Sequence, residues 1–311
     1  MVLKTRFPRW IIATIAMLVS VAVIAVAQRQ DQAVVSDVRP LPEVKQPLPF
    51  GDGETMKFDV KFARFPVFAS VGEMTFNVSE EKPKPDQPNA IEKIRIHAEA
   101  VSKGALVSLF GIHVKDVFES IINKKDLGTY TSTVNTREGK RNHQQVTTIE
   151  RDKQQITYVD TNLNAAKETP KVVKSDLSPW PLAYDPVAAI YFVRTQNLEI
   201  GKSIKLPVSD EGKAKEVELI PARGEDMKVG EQTYKTIKLE AKVFNGALFN
   251  GNGQMYIWVS DDKYHVPIKF QIKAKYGTIT GNLISRSYTQ PQKAASDKAE
   301  KASITKNEVS N

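Results

Sequence analysis

Met56, Phe58, Val60 and Phe62 alternate with Lys57, Asp59 and Lys61, and no other feature of this chain restricts its fold as strongly. A period of two puts the apolar side chains on one face of an extended strand and the charges on the other. The same alternation recurs in Gly72-Met74-Phe76-Val78, Ile94-Ile96-Ala98-Ala100, Ile237-Leu239-Ala241-Val243 and Val266-Ile268-Phe270-Ile272-Ala274-Tyr276. Less regular strands are predicted near 115–122, 128–135, 143–150, 155–160, 203–208, 215–221, 254–259 and 278–287. Asn-Gly at 245–246 and 250–251, Glu-Gly at 138–139 and 211–212, and Asp261-Asp262 supply the turns. One-sided alternation predicts an antiparallel sheet that buries one face.

A single helix interrupts this pattern. Asp185 offers an N-cap, Pro186 takes the first helical position, and Val187-Ala188-Ala189-Ile190-Tyr191-Phe192-Val193-Arg194 is apolar almost all round. Such a helix must be enclosed. The sequence therefore predicts a mainly β fold, a large curved antiparallel sheet wrapped around one buried helix. A short helical or irregular piece is expected at Ala105–Phe110.

The N-terminus carries Lys4, Arg6 and Arg9, then an uncharged run from Trp10 that closes with Ala25-Val26-Ala27. That order fits a secretory signal cleaved after Ala27; the alternative is an uncleaved anchor, since the run nearly suffices for a hydrocarbon layer of about 30 Å. Either way the remainder is expected outside the cytoplasm, in the periplasm or cell envelope. Residues 28–47, with Pro40, Pro42 and Pro47, read as a proline-rich tether, 48–288 as one β-rich domain, and 289–311 as a disordered polar tail.

Composition removes several functions. The chain has no Cys, which excludes disulfides, thiolate zinc sites and cysteine nucleophiles. Its net charge of +8 is not gathered into a basic stripe with interleaved aromatics, so no nucleic-acid partner is expected. His97, His113, His143 and His265 form no metal-ligand spacing. His97-Ala98-Glu99 lacks the Cys pair of a zinc deaminase and reads as a solvated pair. Asn250-Gly251-Asn252-Gly253 precedes a strand, so it reads as a hairpin turn and not a phosphate loop. Ser260, before Asp261 and Asp262, reads as part of an acidic turn. Lys269, Lys273 and Lys275 fall on an outward face, where solvation or edge protection outweighs a meeting with anionic head groups. Arg194, on an enclosed helix, requires a carboxylate partner or a ligand. No catalytic motif, cofactor site or metal site is expected.

Pro49-Phe50-Gly51-Asp52-Gly53-Glu54, Asp185–Arg194, and Ile257-Trp258-Val259-Ser260-Asp261-Asp262 with Pro267-Ile268-Lys269 together resemble an exported bacterial family known as domain of unknown function 3108. The resemblance spans residues 48–288. It implies an envelope protein whose shape is similar to the half-open antiparallel barrels of lipoprotein carriers, and it carries over no catalytic residue.

The leading expectation is a non-enzymatic envelope protein whose half-barrel holds a lipid or other amphiphile, because large inward side chains make a concave apolar surface. Candidate lining residues are Phe58, Phe62, Phe76, Tyr191, Arg194, Trp258, Phe270 and Tyr276. A structural or assembly module binding another envelope protein, and an enzyme acting on envelope glycans or lipids, are the alternatives. Membrane contact is expected only through the N-terminal segment, if it stays uncleaved.

Overall fold

A computed structural model of the protein describes residues 38–65, 67–81, 90–104, 113–138, 140–165, 167–243, 254–274 and 277–288. Ala27, the tail from residue 289, Tyr276, Lys275, the Ala105–Phe110 piece and the Asn-Gly turns at 245–246 and 250–251 lie outside the described residues.

The body from Pro40 onward is built on β1 (Thr55–Arg64), β2 (Val67–Glu81), β3 (Lys93–Ser102), β4 (Val114–Asn123), β5 (Thr129–Glu138), β6 (Arg141–Glu150), β7 (Gln155–Asn162) and β8 (Lys171–Asp176). A helix, α1 (Pro186–Val193), then leads into β9 (Ile204–Asp210), β10 (Lys213–Arg223), the small hairpin β11 (Met227–Val229) and β12 (Gln232–Tyr234), β13 (Thr236–Val243), β14 (Gln254–Ser260), β15 (Pro267–Ala274) and β16 (Gly277–Ser287). Fourteen of these strands form one antiparallel sheet, ordered β8-β7-β6-β5-β4-β3-β2-β1-β16-β15-β14-β13-β10-β9. The predicted alternating strands are all in it. β8 and the β11–β12 hairpin were not predicted. Both are short, and neither places a run of apolar residues on one face.

Register puts the alternating apolar residues together. Phe58 lies opposite Met74 and Leu283, Met56 opposite Phe76, Phe76 opposite Ala98, and Ile96 opposite Ser120. This face is concave and buried; the other carries cross-strand pairs such as Lys57–Glu73 at 3.2 Å, Arg95–Glu119 at 2.5 Å and Lys115–Glu99 at 3.0 Å. Gly281 gives the inner face its clearance, because a Cβ there would come within 2.1 Å of the Phe270 ring.

The sheet rolls up without closing. No ladder joins β8 to β9. Instead the β9–β10 turn, with Glu211 and Gly212 both at positive φ, tucks against the inner side of β7 and β8. Ser175 Oγ donates to the Gly212 carbonyl at 2.5 Å, and a Cβ on Gly212 would meet Tyr158 at 2.7 Å. The result is a half-open barrel with overlapping edges.

α1 plugs one end. Asp185 caps it, accepting from the Val187 and Ala188 amides at 2.8 and 3.0 Å. Its other oxygen accepts from Ser120 and Thr129 of the sheet, the latter at 2.9 Å. Burial pushes the Asp185 carboxyl up, against the pull of these four donors. The preceding Tyr184 pairs in parallel with Val208 of β9. Tyr191, Phe192 and Val193 are buried, as an all-apolar helix requires. Residues expected to belong to the tether also join this end: Leu41 and Val44 pack on the core, and Gln196 donates to the Glu43 carbonyl at 3.1 Å. The described end of the predicted tether thus lies against the body, because its apolar residues find a surface to cover.

Candidate functional site: the barrel mouth and its buried ionic floor

The plugged end is the floor of the barrel, and the end of β1, the end of β5, the start of β6 and the start of β16 mark the opposite end, the mouth. Side chains on the inner face change character between the two. At the floor Met56, Phe58, Ile94, Ile96 and Ile122 are fully buried. Towards the mouth Phe62, Met74, Phe118, Val134 and Ile272 point inward yet are only half-buried, and inward-facing Ile279 is 41% exposed.

The mouth also has two chemically different walls. The wall from β13 through β1 and β2 is apolar. Beyond Phe118 and Val134 the inner face of β4 to β7 becomes polar, with Gln145 beside Asp160, Asp116 beside Thr136, and His143 beside Asn162. His143 Nδ1 lies 2.8 Å from Asp160 Oδ1. An apolar wall facing a polar one is a surface suited to an amphiphile.

The expected lining residues divide by position. Phe58, Phe76 and Phe270 point inward and touch one another, with ring centroids 5.7 Å apart for Phe58–Phe76 and 5.6 Å for Phe58–Phe270. Phe62 is inward at the mouth. Tyr191 and Arg194 belong to the floor. Trp258 requires a correction: it pairs with Lys238 and Lys269 and lies on the outward face. There Lys269 Nζ sits 4.3 Å and Lys238 Nζ 5.3 Å from its ring centroid, so the lysines cover the indole with their stems. The neighbouring Ile257 and Val259 are apolar too, and with apolar residues on both faces a period of two cannot assign the indole.

Arg194 has the carboxylate partner its burial demands. Nη1 and Nη2 donate to Glu54 Oε2 and Oε1 at 2.6 and 2.8 Å, and both side chains are fully enclosed. Arg286 of β16 donates to Glu54 Oε1 at 2.7 Å. The remaining Arg194 donors reach the Pro49 and Tyr264 carbonyls at 3.3 Å each, and the guanidinium lies 5.0 Å from the Phe50 ring centroid. Burial alone would raise the Glu54 carboxyl, but the two guanidiniums outweigh it and hold it below its ordinary value. Beside them the Tyr191 hydroxyl is buried without a hydrogen-bond partner, and burial pushes its phenol well up.

The Asp261–His265 turn closes this floor. Asp262 Oδ1 accepts from Ser260 Oγ at 2.9 Å and the Tyr264 amide at 2.8 Å, so Ser260 belongs to a hydrogen-bonded acidic turn. His265, at φ 40°, brings Nδ1 to 3.2 Å from the Arg194 carbonyl. Burial lowers its pKa, so the folded protein prefers the neutral ring. Its contribution to stability is complete above the ordinary value of 6.5 and is lost as pH falls below it. Glu54 adds a second loss, starting at ordinary carboxylate values and running down through its lowered folded value; Asp185, raised, works in the opposite sense there. The urea midpoint should therefore be flat from pH 8 to about 6.5 and fall below that. His265→Asn, which tolerates positive φ, should delay the fall to the carboxylate range; an unchanged profile would rule His265 out as its cause.

In the sequence Glu54 stands out only as the last residue of the Pro49–Glu54 motif, and Arg286 has no distinguishing signal. A buried acid has no local signature; the enclosed Arg194 was the one signal that such a partner existed.

Among the described residues no group of His, Asp and Glu is arranged to hold a metal ion, and no helix is long and apolar enough to cross a membrane. The chain is similar to a beta-barrel-like protein of domain of unknown function DUF1849 from Brucella abortus, with 7% identity, a TM-score of 0.49, and coverage of 78% of this chain and 99% of that one. It is also similar to the hypothetical protein CT021 from Chlamydia trachomatis, with 10% identity, a TM-score of 0.33, and coverage of 80% and 94%. Comparison with curated proteins gives no match. The family model for DUF3108, a protein family of unknown function, matches residues 57–284, the whole sheet from β1 into β16, and the chain belongs to that family.

Proposed function

We propose that the protein is a non-enzymatic component of the cell envelope that holds a lipid or another amphiphile in the mouth of its half-open barrel. The observation that carries this reading is the half-exposure of inward apolar side chains at the mouth, opposite the polar wall of Gln145, His143 and Asp160. In a filled barrel those side chains would be as buried as Phe58 and Ile96 are at the floor. An acyl chain along Phe62, Met74, Phe118 and Ile279 would remove that surface from water, and a polar head would meet the opposite wall. The N-terminal signal-like segment supports the export that this reading requires.

Titration with dansyl-tagged undecanoic acid tests the site. Ile279→Asp places a charge among the apolar contacts and should weaken the probe by about tenfold or more, the equivalent of about 1.4 kcal/mol of lost apolar contact. Lys273→Ala, on the outward face, should leave binding unchanged. Equal effects of the two, or no binding by the parent protein, would reject the cavity and favour an assembly role.

A further inference from the structure

The β1–β2 hairpin carries the most exposed large apolar side chains among the described residues. Phe65 is 87% and Phe68 69% exposed. β3 ends at Ser102, opposite Gly72, and the next contact is the Lys103 amide to the Val71 carbonyl at 2.8 Å. Phe65 follows the last residue of β1 and Phe68 is the second residue of β2, so both rings stand at the rim of the mouth, where they stay largely exposed. Neither ring contributes to the core. Two bare aromatic rings within one hairpin are a surface suited to burial elsewhere.

The charge around this tip states what covers it. Lys61, Arg64 and Lys103 stand on this side of the hairpin with two acids, Asp59, which pairs with Lys61, and Glu73, which pairs with Lys103. Further along the rim Arg137, Lys140 and Arg141 border a depression with Asn142 and Asn164, and their side chains are exposed. Aromatic rings flanked by cations are the pattern that partitions into the interface of an anionic bilayer: the rings enter the head-group region and the cations meet lipid phosphates.

We infer that the Phe65–Phe68 tip and the basic rim dock the protein, mouth first, on an anionic lipid surface. This adds a membrane contact to the N-terminal segment, to which the sequence alone confined it. That the mouth thereby faces a source of its ligand rests on the proposed cavity; the docking of the tip does not.

Because the chain has no Cys, Phe65→Cys in the full chain accepts a single nitrobenzoxadiazole label, whose emission reports the surroundings of the tip independently of the N-terminal apolar run. Vesicles of phosphatidylglycerol and phosphatidylcholine in equal parts should raise that emission several-fold, and phosphatidylcholine vesicles should leave it at its level in water. Adding Lys61→Gln, Arg64→Gln and Lys103→Gln should weaken the response by about fivefold per cation removed, and Phe68→Ser should weaken it further. A label at Lys202→Cys, at the floor, should stay dark. A silent tip, or an equal response to both vesicles, would overturn the docking. A response on concentrating the protein without vesicles would overturn it in favour of a second copy of this chain. Ile279→Asp should weaken probe binding in the mouth by the same tenfold or more and leave the tip signal intact, which separates a failure of the cavity from a failure of the docking.

Discussion

Glu54→Gln is expected to destabilise the protein by about 3–5 kcal/mol, the cost of breaking a buried ion pair by removing one partner. The carboxylate accepts both ends of the Arg194 guanidinium and a further bond from Arg286. Gln keeps an amide oxygen that can accept one bond, but without the carboxylate's charge the enclosed Arg194 guanidinium is uncompensated, with only two further carbonyls at 3.3 Å. The penalty is that of a stranded cation, and it does not measure what the pair contributes to folding. Hence Glu54→Leu combined with Arg194→Met should recover most of the loss, while Arg286, 20% exposed, turns outward to solvent. Urea unfolding followed by tryptophan fluorescence reads all three proteins. A cost below about 1 kcal/mol for Glu54→Gln, the level of a surface pair, would show that water reaches the cluster in solution.

Phe58→Ala is expected to cost about 3–5 kcal/mol as well, for a different reason. Phe58 is 1% exposed and holds Phe76 and Phe270 against its ring, so its loss leaves a cavity that hydrogen-bonded strands cannot close. Ile279→Ala, on the same inner face but 41% exposed, should cost less than about 1 kcal/mol, because half of that side chain already meets water. The contrast maps the boundary between packed floor and lined mouth. Equal large costs at both positions would mean a barrel filled from end to end, and would remove the space in which a ligand is proposed to sit.

Most strands could be read from the sequence because each depends on local alternation. In β1 every second residue is apolar, and that pattern has only one arrangement that hides four large side chains while solvating three charges. The cap of α1 is equally local, since Asp185 and the amides it accepts lie within three residues. β8 escaped because Lys-Val-Val-Lys-Ser-Asp has no apolar face; its position at the sheet's edge, beside β7, and the overlap with the β9–β10 turn make it a strand. Trp258 escaped because its strand is apolar on both sides.

The candidate site was legible only in part. Sequence determined that a set of aromatic side chains would share one concave face, and that Arg194 would need an anion. Tertiary structure alone decided that the anion is Glu54, separated from it by 140 positions, and that a second guanidinium from the last strand completes the cluster. It also decided that one end of the barrel is plugged while the other keeps inward side chains half-exposed, and that Phe65 and Phe68 stay exposed at the rim. Alternation fixes which face a side chain takes, because the pleat repeats every two residues. How far along the barrel that side chain sits, and what lies across from it, depends on strand register and on where the chain returns, and those are settled by contacts between residues far apart in the sequence.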